Sequence, residues 1–259
     1  MSPSRERNPT GGFPNRASRY EALAPVMSVV AKELAGAEPQ PSRLAVLWRS
    51  AIGRKALMAV TGLALFGYVL GHMLGNLQAF QGAEKLDGYA RSLRVVPSLL
   101  WTVRIVLLVA VLVHAVAGIQ LWLERRSARP VAYQQWTAAG STVASRTMIW
   151  TGFLILGFVV YHLLDLTFGV ANPDFREGEV FHNVLASLGR TAAAAFYILA
   201  VAGLGVHLWH GLWSMFQSVG IATRAYTSGL KGFAVTFAVV LAVGFAAIPL
   251  GVLFGIIGG

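Results

Sequence analysis

The amino-acid sequence predicts an all-α protein, a membrane bundle of five transmembrane helices, with a cytoplasmic N-terminus that carries a polar extension. Three observations lead there. The chain is 56% hydrophobic and only 12% charged, and its mean hydropathy is +0.61, an apolar excess beyond that of an ordinary soluble domain. Five apolar runs reach the roughly 20 residues that cross a hydrocarbon core: Ala56 to Phe80, Leu99 to Leu123, Thr147 to Phe168, Thr191 to Phe216 and Phe233 to Ile257. Lys and Arg gather before the first run (Arg43, Arg49, Arg54, Lys55), after the second (Arg125, Arg126, Arg129, Arg146) and after the fourth (Arg224, Lys231). Under the positive-inside rule that bias orients the N-terminus to the cytoplasm and the C-terminus outward, although Lys85, Arg91, Arg94, Arg176 and Arg190 lie in the outer loops.

Residues 1–52 form the cytoplasmic extension and 53–259 the membrane domain. The start, to about Pro41, is rich in Pro, Ser and Arg and reads as partly mobile. Within it, Tyr20, Leu23, Met27, Val30, Ala31 and Leu34 recur at helical spacing near 18–35, with Ser18 and Glu21 placed as a capping box. Pro25 either kinks that helix or marks its first turn. The segment suits a surface helix at the lipid interface and a docking element for a cytoplasmic partner equally. No secretory signal is visible, because nothing ahead of Ala56 has a basic, apolar, small-residue order.

Each of the first four spans carries a histidine deep within it: His72, His114, His162 and His207. An ionisable side chain in hydrocarbon is costly and marks a site hypothesis. A neutral imidazole ligates metals, and haem iron suits apolar surroundings. One such histidine alone reads best as a core residue bonded to backbone or water; four in succession do not. The absence of cysteine excludes iron–sulfur ligation, thioether-linked haem and disulfides in this chain. A net charge of +10 follows from membrane topology and does not call for nucleic acid.

Depth sorts the four into pairs. At 1.5 Å per residue His72 lies about 24 Å along the outward-running first span, and His162 about 22 Å along the third. His114 and His207 lie about 22 to 24 Å along the inward-running second and fourth spans. An outer pair, His72 with His162, and an inner pair, His114 with His207, would each hold one bis-histidine haem. Gly71 and Gly75 flank His72, Gly118 follows His114 by one turn, and Gly203 and Gly211 bracket His207, leaving room for a flat guest. Gly67 continues the first stripe, where helix packing explains it.

His210, one turn beyond His207, cannot serve the same iron and suits a contact to a haem propionate, quinone or water. It is also the alternative to His207 as ligand. His182 falls in a polar loop and reads as solvated. Asp165, one turn past His162, is either an outer proton relay or a solvated helix end. Arg146 at the start of the third span and Arg104 early in the second suit a propionate of the inner and outer haem respectively, or interface anchoring. The fifth span, without charge or histidine, completes the bundle.

From Gly53 to about Pro249 the chain resembles the cytochrome b subunit of succinate:quinone oxidoreductases, in its single-chain, five-helix, two-haem form. The resemblance rests on GRKALMAVTG from Gly53, GHMLGN from Gly71, YARSLR from Tyr89, ARPVAY from Ala128, ASRTMIWTG from Ala144, YHLLDLTFG from Tyr161 and LGVHLWHGLWSMFQSVG from Leu204. It implies a membrane anchor of succinate dehydrogenase in the bacterial cytoplasmic membrane, bound to a flavoprotein subunit and an iron–sulfur subunit. Electrons would pass from the iron–sulfur subunit through two b haems to quinone, with menaquinone the expected species and no succinate site in this chain. It also implies that Ser50 and Arg54, one turn apart, approach the quinone; without it they read as a helix start and a snorkelling arginine. The alternatives are a di-haem anchor of another respiratory dehydrogenase, such as a hydrogenase or formate dehydrogenase, and a haem-free scaffold or transporter. The second would call for buried charged pairs or broken helices at the midplane, and no convincing set is present.

Overall fold

A computed structural model describes residues 16–35, 42–128 and 142–259. It divides into two compact units, 1–46 and 47–259. In the first, α1 (Arg16–Ala35) contains Pro25 in its interior. Because the helix begins at Arg16, Ser18 lies inside it and is not the N-cap of a capping box, which corrects that expectation. Leu23, Val26, Met27, Val29 and Val30 are all exposed on it. The stretch ahead of Arg16, and ARPVAY after Ala128 with Arg129, lie outside the described residues.

The second unit takes in the end of α2 (Arg43–Arg49) and then five helices long and apolar enough to cross a membrane. These are α3 (Ala51–Asn76), α5 (Pro97–Ser127), α6 (Val143–Leu166), α8 (Thr191–Ser218) and α9 (Thr227–Leu253). Among the described residues there is no strand. Two short helices, α4 (Ala83–Ser92) and α7 (Val180–Leu188), and a 3-10 turn at Leu77–Gln81 complete the set.

The helices outrun the apolar segments at several ends because capping chemistry, not hydropathy, terminates them. Ser50 accepts the Gly53 amide at 2.9 Å and starts α3 at Ala51. Thr142 and Ser145 form a reciprocal capping box at the start of α6. Pro97 occupies the first turn of α5, where its missing N–H costs nothing. At the far end α9 stops at Leu253, not Ile257, and the chain turns through Gly255 at φ 69°. The same helix begins at Thr227, so it does carry a charge, Lys231, whose ammonium lies 5.0 Å from the Trp213 ring.

α3 packs on α5, α5 on α6, α6 on α8 and α8 on α3, closing a ring of four; α9 lies against α8 and α3. The pairs α3/α6 and α5/α8 are therefore diagonal. Val103, Ile105, Val106, Leu108, Val109 and Leu112 are exposed along α5, an apolar face that suits a lipid surround. Arg126 over Trp122 at 5.0 Å and Arg104 over Trp101 at 5.1 Å place cation and indole together toward opposite ends of α5, as interfacial anchors do. The chain is a multi-pass membrane protein.

The end of the bundle where α3 and α6 finish is closed by a folded cap. Ala79, Leu86, Val184, Leu188, Tyr197, Ile248 and Ile257 form one buried cluster there, and the Phe181 amide donates to Asp87 Oδ1 at 2.9 Å, joining α7 to α4. The segment read as a polar loop is thus largely helix. His182, expected to be solvated, is half-buried, with Nε2 3.0 Å from the Asp174 carbonyl and 3.2 Å from its carboxylate.

Asp165 is fully buried in this cap, which excludes a solvated helix end. Its carboxylate accepts from Arg190 at 2.9 Å, from Tyr197 at 2.9 Å and from Ser187, and Arg190 also donates to the Ala171 carbonyl at 3.0 Å. Replacing Arg190 with Ala strands a buried carboxylate. We expect about 3 kcal/mol of destabilisation, read as a lowered Tm of the purified protein in detergent, whereas Arg176→Ala, which breaks an exposed pair with Glu179, should cost less than about 1 kcal/mol.

Candidate functional site

The diagonal helices bring the four histidines together in two pairs. His72 on α3 faces His162 on α6 with ring centroids 5.8 Å apart and planes at 85°. His114 on α5 faces His207 on α8 at 6.3 Å and 58°. His207, not His210, faces the His114 ring; His210 sits half-buried one turn along α8.

Three of the four imidazoles have Nδ1 engaged by a hydroxyl whose own proton is used elsewhere. Thr61 donates to the Leu57 carbonyl at 2.7 Å, so its oxygen accepts from His114 Nδ1 at 3.3 Å. Thr151 donates to the Thr147 and Met148 carbonyls at 3.1 Å, so it accepts from His207 Nδ1 at 3.2 Å. Tyr197 donates to Asp165 at 2.9 Å, so it accepts from His162 Nδ1 at 3.2 Å. Each ring then carries its proton on Nδ1 and leaves the Nε2 lone pair for a ligand. His72 is steadied by stacking on Tyr68, 5.4 Å away at 15°.

The residues beside the threonines share the task. The position a Cβ would take on Gly62 is 3.3 Å from His114, close enough to press on the ring, and on Gly152 3.7 Å from His207, an ordinary van der Waals contact. Thr61-Gly62 and Thr151-Gly152 belong to matching segments, TGLALFGYVLGH (61–72) and TGFLILGFVVYH (151–162), which share Thr, Gly, Gly, Val and His in register. That internal repeat is the signal that could have identified both threonines. Tyr197 and Asp165 had no such signal, because their meeting depends on how α6 and α8 pack.

The glycines divide by role. Among the described residues a Cβ on Gly67, Gly71, Gly157 or Gly211 would meet nothing within 4 Å, whereas Gly75 is needed for Tyr89, Gly203 for Leu154 and Gly205 for Ala242. Gly75 and Gly203, expected to leave room for a guest, therefore serve helix packing, and Gly67, expected to serve packing, faces open space. Among the described residues no three His, Cys, Asp or Glu side chains converge as a metal cluster.

At the end of the bundle where α3 begins, Arg54 is almost fully buried. Its guanidinium donates to both Glu124 oxygens at 2.5 and 2.6 Å and to the Trp48 carbonyl at 2.7 Å. Ser50 is occupied by helix capping, donating to the Leu47 carbonyl at 3.3 Å. Trp48, Arg49, Arg54, Gln120, Leu123 and Glu124 line a cleft of about 420 Å³, and Arg54 Nε and Gln120 Oε1 are buried there with no hydrogen-bond partner among the described residues. Arg104 is exposed over Trp101, and Arg146 is exposed in the first turn of α6.

The Arg54–Glu124 pair is asymmetric, since the Glu124 side chain is 52% exposed and that of Arg54 8%. Removing the acid strands a buried cation, while removing the cation leaves an acid that water can solvate. Glu124→Ala should therefore lower Tm more than Arg54→Met, by about 2 kcal/mol in unfolding free energy, in the same detergent.

The sequence profile of the succinate dehydrogenase/fumarate reductase transmembrane subunit family matches residues 48–128 and 123–247. The first match covers α3 to α5 and the second α6, α8 and most of α9, so the likeness spans all five long helices. No curated protein and no solved structure matches the chain. A five-helix membrane bundle matched over most of its length in this way belongs to the succinate dehydrogenase/fumarate reductase transmembrane subunit family, the membrane-anchor subunits of succinate:quinone oxidoreductase.

Proposed function

We propose that this anchor conducts electrons from an iron–sulfur subunit to membrane quinone, with two b haems held by His114 with His207 and by His72 with His162. The observation that carries the reading is the spacing of the two imidazole pairs. An imidazole nitrogen bonds a first-row metal at about 2 Å, and the ring centroid lies roughly 1 Å behind it, so two imidazoles on opposite sides of one iron have centroids about 6 Å apart. Both pairs meet that requirement. The Nδ1 hydrogen bonds of His114, His162 and His207 point the same way, as do the open positions beside Gly71 and Gly211. A pair of histidines suffices because porphyrin supplies the other four ligands.

Bound there, haem would supply a one-electron carrier at two depths of the membrane. The protein's part is to hold the imidazoles, fix their tautomers and exclude water. In the orientation set by the Lys and Arg bias, with the N-terminus cytoplasmic, His114 and His207 form the inner pair, toward the flavoprotein and iron–sulfur subunits. The membrane is the bacterial cytoplasmic membrane, with residues 1–52 as the cytoplasmic extension and 53–259 as the haem-bearing domain. Arg146 suits a propionate of the inner haem; Arg104, resting on Trp101, serves as an interface anchor, and His210 offers a polar contact near the inner pair.

Quinone binding is assigned to the cleft lined by Arg54 and Gln120. Arg54 Nε–H would donate to a quinone carbonyl, and Gln120 Oε1 would accept from the hydroxyl of the reduced form. Glu124, half in water, carries protons between the cleft and the cytoplasm. Ser50 contributes by starting α3 one turn ahead of Arg54. Menaquinone is the proposed species, on the likeness to five-helix, two-haem anchors.

The purified complex should show two b haems per copy of this chain in a reduced-minus-oxidised spectrum with haem quantification. His114→Ala or His207→Ala should remove the inner haem preferentially, and His72→Ala or His162→Ala the outer. A variant of either pair that retains both haems overturns the pairing, and a colourless wild-type complex overturns the electron-transfer reading.

A further inference from the structure

We propose that Asp165, acting through Tyr197, is a positioning residue that makes His162 a more basic ligand than the other imidazoles and so lowers the reduction potential of the His72–His162 haem relative to that of the His114–His207 haem. The inference rests on the haem reading above and adds to it a specific electrostatic device.

The three engaged imidazoles differ in what stands behind the hydroxyl they donate to. Thr61 and Thr151 pass their protons to backbone carbonyls, which are neutral. Tyr197 passes its proton to a carboxylate that is completely buried. A phenol oxygen donating to a carboxylate gains electron density and becomes a better acceptor for His162 Nδ1–H. Pull on Nδ1–H raises the basicity of Nε2, and a more basic ligand favours ferric over ferrous iron. Arg190 offsets part of the Asp165 charge, but it binds Oδ1, while Tyr197 and Ser187 share Oδ2. The carboxylate oxygen turned toward the phenol is thus the one without the guanidinium.

A purely structural clamp would explain Asp165, Ser187 and Arg190, which tie α6 to α7 and to the start of α8. It does not call for a hydroxyl on Tyr197. That ring is already held by Phe158, edge-on at 4.9 Å, and by Tyr161 at 6.1 Å, contacts that phenylalanine preserves. Removing the hydroxyl alone separates the two roles.

The test is a redox titration of both haems in the purified wild-type complex and in Tyr197→Phe, Asp165→Asn and Thr151→Val, with the haems distinguished by the histidine variants above. Tyr197→Phe is expected to shift the ferric-to-ferrous ratio of the His72–His162 haem roughly tenfold toward ferrous at fixed ambient potential, an upward shift of about 59 mV for one electron, with the His114–His207 haem unmoved. Asp165→Asn should move the same haem in the same direction with Tyr197 intact, and Thr151→Val should move only the other haem, and less. An unchanged midpoint in Tyr197→Phe, or an equal shift of both haems, overturns the proposal while leaving the haem assignment standing. Should Tyr197→Phe lose its haem, an unchanged midpoint in Asp165→Asn overturns it; a wild-type complex without haem refutes the underlying reading instead.

Discussion

The constraint that organises this protein is that a polar group inside hydrocarbon must be satisfied by the protein itself. Four imidazoles and one carboxylate lie in the bundle, where water is not at hand to solvate them. The fold answers with hydroxyls whose own protons are already committed: Thr61, Thr151 and Tyr197 can only accept from the rings that meet them. Satisfying Nδ1 in this way also leaves Nε2 free, so the bonds that serve stability are the ones the proposed ligation calls for. The diagonal arrangement of α3 with α6 and α5 with α8 then turns four separate side chains into two facing pairs.

Much of this was legible in the sequence because membrane insertion makes the code simple. Length and hydropathy locate spans, and an ionisable residue within a span is conspicuous. The pairing of histidines follows from depth, since a helix rises uniformly and successive spans alternate in direction. Helix ends were less legible: Ser50 and Thr142 begin helices within polar sequence that a hydropathy scan passes over, and Pro97 begins one two residues ahead of the apolar run. So was the role of Asp165, because its burial depends on the folding of residues 77–92 and 170–190 into a cap, and nothing local to Asp165 announces it.

The two halves of the ring are built alike yet furnished differently. Thr61-Gly62 and Thr151-Gly152 hold His114 and His207 in equivalent fashion, with hydroxyl on one atom and backbone close to the next. At the other end the equivalence fails. His72 stacks on Tyr68, and His162 packs on Phe158 in the matching position, but only His162 is wired to an acid. The cap breaks the symmetry, since α7 and the short link leading into α8 supply Ser187 and Arg190 to Asp165 and, among the described residues, have no counterpart around α3.

The length of α5 carries a mechanical implication. Its 31 residues extend about 46 Å, well past a hydrocarbon core of roughly 30 Å, and Arg54 braces it near its last turn through Glu124. The helix therefore acts as a stiff strut with one end standing clear of the lipid, and His114 hangs from it about 20 Å below that end. A neighbouring subunit that grasped the projecting tip would be rigidly coupled to the imidazole beneath, so docking alone would set its distance from that ring.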